Sequence, residues 1–293
     1  MKNFDMQFQN ILEKAENGIP LNREDCRYLL HLDEKSLEAG VLRATAASII
    51  RSKNENSAII LGQIGVDVKP CSGGCRFCTF GEKHTHFNCV RMSEEEYLKS
   101  VELARKIAPP TTQIWANVGD TTLEGYQALH EAGVTGIYHV CRLREGIDTD
   151  LRPEDRIKSM HNALEAGLEL YTCCEPIGPE HSVDELVDNI FIGIEMDIYQ
   201  HAAMRRVAVP GAPLAHYGQI SELRLAQIVA VIALASATVP TMAYMGAHEP
   251  NELCYTAGAN IITAESGANP RDNSSMPLPP SGGAASKPPS THF

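Results

Sequence analysis

Polar and apolar positions follow a helical period through residues 3 to 51. Asn22 stands before Arg-Glu-Asp, where its side-chain oxygen can accept a hydrogen bond from a free backbone N–H at the start of a helix. Further along, apolar side chains recur at helical spacing and would form one stripe, at Leu37, Val41, Leu42, Ala46, Ile49 and Ile50. We therefore expect an N-terminal helical segment over residues 1–56 that packs as a layer on the rest of the protein.

From Ser57 onward, short apolar runs alternate with longer amphipathic ones, which is typical of strands and helices alternating in a parallel α/β fold. The runs that predict strands are 58–65, 112–118, 135–141, 168–174, 205–209, 239–244 and 260–263. Their order predicts an α/β fold, a partial or complete (β/α) TIM-type barrel over residues 57–272 with the N-terminal helices in front of it. In such a barrel the active site lies at the carboxyl ends of the strands.

Capping residues mark the boundaries of several predicted helices. A hydroxyl residue followed three positions later by Glu forms a capping box, and this pattern occurs at Ser93–Glu96, Thr121–Glu124 and Ser182–Glu185. A glycine after a helix end can adopt the left-handed conformation, as we expect at Gly133, Gly167 and Gly258. By contrast, residues 273–293 are rich in Pro, Gly, Ser and Ala, and we expect them to be a disordered tail.

The composition excludes several classes of function. The 293 residues include 25 Lys and Arg against 37 Asp and Glu, a net charge of -12, so neither nucleic acid nor an anionic membrane is an expected partner. The longest apolar run, 228–243, contains Ser, Thr and Pro, is too short to span a bilayer, and predicts a buried helix followed by a buried strand. Because residues 1–6 lack the apolar core of a signal peptide, the 9 cysteines are expected to be reduced in the cytoplasm.

Three cysteines with spacings of three and two intervening residues follow the first predicted strand on a glycine-rich loop. Cys71, Cys75 and Cys78 can hold one corner of a 4Fe-4S cluster and leave its fourth iron without a protein ligand. Zinc is the alternative, with Cys89, His84 or His86 completing four ligands, and it would make the chain a zinc-stabilised binding protein rather than an enzyme. Phe77, just before the third cysteine, can lie against the base of a nucleotide-like cofactor.

These residues resemble the signature of the radical S-adenosylmethionine (SAM) superfamily. The resemblance implies that a 4Fe-4S cluster on Cys71, Cys75 and Cys78 binds SAM at its open iron, with Phe77 beside the adenine. It also implies anaerobic chemistry, in which an electron donor such as flavodoxin or ferredoxin supplies an electron. A 5′-deoxyadenosyl radical then removes a hydrogen atom from a small-molecule substrate.

A second group of cysteines lies at the ends of two predicted strands. On a strand, alternate residues share a face, so Cys141 and Cys173 are expected to converge inside the barrel, with Cys174 next in the chain. Together they predict a second metal site that could hold an auxiliary iron–sulfur cluster. The alternative is that they are small buried apolar residues, which is also the interpretation of Cys26 and Cys254.

Between residues 58 and 272 the chain is similar to the biotin synthase-like branch of that superfamily, which includes hydrogenase-maturation and methylornithine relatives. The similar phrases begin at Glu131, Glu165, Pro210 and Met245. The similarity implies that His139 and Arg142 position SAM or substrate, and that the loop from Glu175 to Glu180 seats the adenine. The loop could instead be a rigid turn, and Arg142 could simply pair with a nearby carboxylate.

The sequence departs from this branch in three places. No basic residue stands near residues 241–243, where the auxiliary cluster of biotin synthase has an arginine. One strand–helix unit is missing before Gln113, and with it the Gly-Gly-Glu that helps bind SAM. The leading hypothesis is a transferase of the biotin synthase type that inserts sulfur. The alternative is radical rearrangement of a carbon skeleton or assembly of a cofactor, and polar residues at strand ends would contact the substrate, namely Asn117, Asp120, Tyr138 and Arg205.

Overall fold

The computed structural model describes residues 4–63, 71–78, 92–209, 211–249 and 251–265. The predicted tail, along with Cys89, His84 and His86, lies outside these residues. The chain begins with three helices, α1 (Met6–Glu16), α2 (Arg23–His31) and α3 (Leu37–Lys53). Asn22 caps α2 in a full capping box with Asp25, as its position predicts. Leu42, Ala46 and Ile50 of the predicted stripe are buried, whereas Leu37, in the first turn of α3, is exposed.

Strands and helices then alternate along the chain. The strands are β1 (Ile59–Gln63), β2 (Trp115–Ala116), β3 (Gly136–Tyr138), β4 (Glu169–Ile177), β5 (Ile198–Arg205), β6 (Tyr244–Ala247) and β7 (Ile261–Glu265). The helices among them are α4 (Glu94–Ile107), α5 (Leu123–Glu131), α6 (Pro153–Glu165), α7 (Val183–Ile194), α8 (Glu222–Ser236) and the short α9 (Glu252–Tyr255).

All strand pairs are parallel, and they form a partial barrel. Strands β2 to β6 make one five-stranded sheet in chain order, while β1 pairs with β7 in a second sheet. Asn260 joins the two sheets, because its side-chain oxygen accepts from Met245 N at 2.8 Å and its carbonyl accepts from Ile59 N at 3.0 Å. Among the described residues β1 has no pairing with β2, so the barrel is open between them. The predicted fold class is confirmed.

Some predicted elements are shifted. The apolar run 205–209 is not a strand, since β5 spans Ile198–Arg205 and ends where that run begins. The polar residues Gln200 and His201 belong to β5 and are fully buried. Likewise β6 begins only at Tyr244, where the prediction ended. The capping boxes at Ser93 and Ser182 are present, but α5 is capped by Thr122, which accepts from Gly125 N, so the box predicted at Thr121 is wrong.

The two faces of the strands enter different hydrophobic clusters. The outer core lies between the strands and helices and includes Met160, Cys174, Ile190, Ala203 and most of α8. The inner cluster contains residues of strands and the segment after β3, and it fills the barrel: Val140, Tyr171, Cys173, Ala202, Met204 and Ile261, with Ile59, Leu61, Trp115, Tyr138 and Tyr244 packed on it. The inner face is therefore the wall on which a site at the strand ends is built.

Helix α8 is the centre of the outer core. Its residues from Leu225 to Ser236 are all buried, as the long apolar run predicts, since the N-terminal helices cover the side that faces away from the sheet. In the described part of the chain, no helix is both long and apolar enough to cross a membrane.

Candidate functional site

The three loop cysteines lie at the end of the barrel that contains the carboxyl ends of the strands. Backbone hydrogen bonds fix the loop: Asp150 N donates to Gly73 O at 2.7 Å, and Arg76 N donates to Asp148 O at 2.9 Å. Both partners belong to the segment after β3, so the loop is docked on the carboxyl ends of the strands. Gly74 has φ of 57°, and a Cβ there would lie 2.1 Å from Asp150 Oδ2, so only glycine fits.

Gly73 forms a cradle between two of these cysteines. A Cβ at Gly73 would lie 3.3 Å from Cys71 Sγ and 3.5 Å from Cys75 Sγ, so the missing side chain leaves space between the thiols. Cys71 is exposed and Cys75 is buried, which gives the loop one solvent-facing and one protein-facing thiol. Cys78 is partly buried, and so is Phe77 beside it. The Cys71 and Cys75 thiols beside Gly73, with Cys78 three residues further along the same loop, are the kind of donor set that holds an iron–sulfur cluster.

Ligand sulfurs around one tetrahedral zinc lie about 3.8 Å apart, because each Zn–S bond is about 2.3 Å long. Among the described residues, the group of three whose ligand atoms all lie within 4.8 Å of one another is Cys173, Glu175 and His248, and the loop cysteines form no such group.

Arg142 connects the loop to the inner face of the barrel. Its guanidinium lies 3.5 Å from Glu175 and 3.9 Å from Glu145. Burial opposes the charge of Arg142, but Glu175 and Cys75 hold its pKa above the usual value, so it stays a cation. Burial raises the pKa of Cys75 to about 12, and Arg142 is the charge that opposes this rise. The predicted pairing of Arg142 with a carboxylate is thus observed, at the edge of the cysteine loop.

A polar group lies on the inner face between β3, β4 and β6. Tyr138 donates to Glu175 Oε2 at 2.5 Å, and its oxygen is 3.3 Å from His248 Nδ1. The other ring nitrogen of His248, Nε2, contacts the hydroxyl of Tyr171. Burial first, and then Glu175, raises the pKa of the Cys173 thiol well above its usual value. This group puts a thiol, a carboxylate, an imidazole and two phenols around one interior space.

The side-chain amide of Gln200 lies inside the barrel without a hydrogen-bond partner among the described residues. It is fully buried, and in the described part of the chain neither its amide nitrogen nor its amide oxygen has a hydrogen-bond partner. Its position in β5 alternates with Ala202 and Met204 of the inner cluster, which places it on the inner face. Buried polar atoms normally have hydrogen-bond partners, so a water or another polar molecule beside Gln200 would satisfy its amide.

His139 lies on the opposite face of β3 from the inner polar group. Its Nε2 is 3.0 Å from Asp120 Oδ1, and Arg156 of α6 approaches the same oxygen at 2.9 Å. Burial alone would raise the pKa of Asp120, but the hydrogen bonds and charges of His139 and Arg156 lower it to about 2. Burial lowers the pKa of His139, and its hydrogen bond with Asp120 acts in the opposite direction. His139 therefore holds an ionised Asp120 at the strand end.

Glu180 is committed to an ion pair. Arg206 donates through both terminal nitrogens to its carboxylate, with Nη2 at 2.9 Å, and both side chains are buried. Burial would raise the pKa of Glu180, but these hydrogen bonds lower it. Of the predicted substrate contacts, Arg205 is likewise paired, with Glu249 at 2.6 Å, while Asn117 is exposed.

The structure divides the second group of cysteines between the two faces. Cys173 belongs to the inner cluster, whereas Cys141 and Cys174 belong to the outer core. The expectation that Cys141 and Cys173 converge inside the barrel is therefore wrong. The reason is the alternation of side chains along the chain. Tyr138, the last residue of β3, and Val140 face inward, so Cys141 faces outward.

Sequence reasoning missed His248 and Tyr171 as parts of the site. His248 follows β6 within the phrase that begins at Met245, but the residues that it meets in the barrel are not near it in the chain. Its partners Glu175 and Cys173 come from β4, and only the adjacency of strands brings them within reach. The predicted strand ended at residue 244, whereas β6 ends at Ala247, so the sequence did not mark His248 as a residue at a strand end.

The sequence matches no family model, but the fold is found in solved structures. Methylornithine synthase (PylB) is 16% identical, with a TM-score of 0.75 over 94% of this chain and 90% of that one. HydG, a maturase of the [FeFe]-hydrogenase, is 16% identical, with a TM-score of 0.72 over 89% of this chain and 69% of that one. HydG from Carboxydothermus hydrogenoformans is 15% identical, with a TM-score of 0.69 over 89% of this chain and 71% of that one.

At such identities the likeness concerns the fold. The chain has the partial-barrel fold of methylornithine synthase and HydG.

Proposed function

We propose that this protein is a radical SAM enzyme that removes a hydrogen atom from an aliphatic carbon of a small molecule bound in the barrel. The observation that carries the proposal is the position of the loop of Cys71, Cys75 and Cys78 at the carboxyl ends of the strands, with the Cys71 and Cys75 thiols close to Gly73. The fold shared with methylornithine synthase and HydG supports the same conclusion.

In this proposal each group of residues has a separate task. The loop cysteines hold a 4Fe-4S cluster, and Phe77 flanks the adenine. The cluster and SAM, when bound and reduced by a donor such as flavodoxin or ferredoxin, supply a 5′-deoxyadenosyl radical. Arg142 keeps a positive charge beside Cys75, which favours the thiolate form that binds iron.

The inner polar group and Gln200 bind the substrate in this proposal. Tyr138, Glu175 and His248 offer hydrogen-bond donors and acceptors at the end of the barrel nearest Arg142, while Gln200 offers both from below. The inner cluster between them excludes water, which protects a carbon radical from side reactions.

Within this class we favour a reaction that ends without sulfur insertion, either rearrangement of a carbon skeleton or assembly of a cofactor. The division of Cys141, Cys173 and Cys174 between two faces supports this choice, because an auxiliary cluster with three cysteine ligands needs them on one face. Sulfur insertion is the second candidate, and the observation in its favour is the interior position of Cys173.

The test is anaerobic reconstitution followed by reductive cleavage of SAM. Cys75→Ala should abolish the formation of 5′-deoxyadenosine, measured by liquid chromatography, and remove the brown colour. Cys26→Ala is the matched control, since Cys26 is fully buried in α2 and packs in the outer core. About four irons per chain would support the favoured reaction, whereas about eight would support an auxiliary cluster and sulfur insertion.

Two results would contradict the proposal. One is SAM cleavage that persists in Cys75→Ala. The other is a colourless wild-type protein that holds zinc through the loop cysteines and cleaves no SAM.

A further inference from the structure

Cys173, Glu175 and His248 form a compact group of potential metal ligands that lies apart from the cysteine loop. We propose that they bind a single divalent transition-metal ion such as zinc or iron(II), as a second metal site inside the barrel. The proposal goes beyond radical chemistry, and it uses none of the three loop cysteines.

The geometry of the group suits one ion. The Cys173 sulfur, a carboxylate oxygen of Glu175 and a ring nitrogen of His248 all lie within 4.8 Å of one another. All three residues are at least nine-tenths buried, with exposed fractions of 2%, 4% and 8% in that order. Two of them come from the inward face of β4, and the third follows the nearby β6, so rigid strands rather than flexible loops set the spacing.

One nitrogen of His248 faces the other two ligands. Its Nε2 contacts the Tyr171 hydroxyl, while its Nδ1 lies 3.3 Å from the Tyr138 hydroxyl and 3.9 Å from Glu175 Oε2, so an ion bound at Nδ1 would replace the contact with Tyr138. A histidine that ligates a metal through one nitrogen usually donates its other N–H to a fixed acceptor, which Tyr171 provides here. Gly246 makes this contact sterically possible, because a Cβ at that position would lie 2.6 Å from the Tyr171 oxygen.

A divalent ion would balance the charges of this group once Cys173 has lost its proton. A divalent ion would bind the thiolate and the carboxylate as a neutral set, and the proton of Cys173 would leave for solvent. Arg142 pairs with the far side of Glu175, which leaves Oε2 toward Tyr138 and His248. Thiolate, imidazole and carboxylate together are ligands that zinc and iron(II) accept.

Three protein ligands leave one position of a tetrahedral ion open. Catalytic zinc sites keep such a position for water or substrate, whereas structural sites close it with a fourth residue. Because Cys173 lies on the inner face of the barrel, an ion at this site could hold an oxygen atom of the substrate. The site would then position a substrate that carries a carboxylate or hydroxyl group.

The test uses the full-length protein after its iron–sulfur cluster has been reconstituted, so that the loop cysteines are occupied. One equivalent of zinc is added, unbound metal is removed, and zinc is measured by mass spectrometry and by X-ray absorption at the zinc edge. We expect about one zinc per chain with one sulfur neighbour at about 2.3 Å and the remaining neighbours nitrogen or oxygen at about 2.0–2.2 Å.

Matched variants separate the site from general effects on folding. Cys173→Ser should lose the zinc, while Cys174→Ser, the next residue on the outer face, should retain it. Tyr171→Phe should weaken zinc binding by about 10–100-fold, since it removes the partner that orients His248. Iron content and circular dichroism verify that each variant is folded.

Three results would overturn this inference. The first is the absence of bound zinc in the wild-type protein, and the second is equal retention of zinc by Cys173→Ser and wild type. The third is a zinc spectrum with three sulfur neighbours, which would assign the metal to the loop cysteines. SAM cleavage is measured separately on the same preparations, so this inference and the proposed function can fail separately.

Discussion

Cys173 and Cys174 are neighbours in the chain and are both buried, yet their surroundings differ completely. Cys173 faces Tyr138, Glu175 and His248 in the barrel, whereas Cys174 packs with the apolar outer core. The comparison teaches that β4 separates two roles with one residue of offset. Its outer face contributes to stability through burial, and its inner face presents groups that can bind and react.

The largest effect on stability is expected in the outer core, which packs on the outer face of β4. Met160→Ala removes a fully buried side chain of the outer core and leaves a cavity, so the free energy of unfolding should fall by about 2–5 kcal/mol. Met6→Ala, the same change at an exposed position, should have little effect. Urea titration measures both, and SAM cleavage per folded molecule should be unchanged. A Met160→Ala variant that is as stable as Met6→Ala would contradict the assignment of the outer face.

The next prediction compares two hydroxyl groups. Tyr138→Phe and Tyr126→Phe each remove a hydrogen bond, to Glu175 and to Ser159 respectively, and each should lower the free energy of unfolding by about 1–2 kcal/mol. Only Tyr138 lies on the inner face, so only its loss should slow substrate turnover, by about tenfold, which corresponds to about 1.4 kcal/mol. Equal turnover in the two variants would mean that the inner polar group has no part in the reaction.

The smallest effect is the acid dependence of stability at Asp120. The pKa of this carboxyl in the folded protein is about 2, below the value of about 3.9 expected in an unfolded chain. Its stabilising contribution is therefore complete above about pH 4 and is lost as the pH falls through about 2. Asp120→Asn should flatten the decline of the unfolding free energy between these pH values. Asp197→Asn, at an exposed position, controls for the loss of one charge, and an identical decline in both variants would refute the assignment.

Local features of the fold could be predicted from the sequence. The capping boxes at Asn22, Ser93 and Ser182 depend on residues three positions apart, and all three helices begin as the sequence indicates, the last two with the predicted Glu partner. The loop cysteines follow the first predicted strand in the sequence, and the structure places their loop at the carboxyl ends of the strands. In these cases the interacting atoms belong to one turn of the chain.

Features that depend on contacts between strands could not be predicted in the same way. The prediction that Cys141 faces inward was wrong because β3 has only three residues, and so short a strand does not show from its sequence which side faces the barrel interior. The bounds of β5 were wrong because Gln200 and His201 interrupt its apolar pattern, although both are buried. The group of Cys173, Glu175 and His248 required the packing of two strands that lie about 70 residues apart in the chain.

The pairing of β1 with β7 also has a consequence for how the protein is made. The strand that leads into the cysteine loop finds its hydrogen-bonded partner in the last described strand, and Asn260 completes the link. During synthesis on the ribosome, β1 emerges first and must wait for more than half of the chain before it can pair. Loading of the proposed iron–sulfur cluster should therefore follow the completion of the barrel rather than accompany the emergence of its ligands.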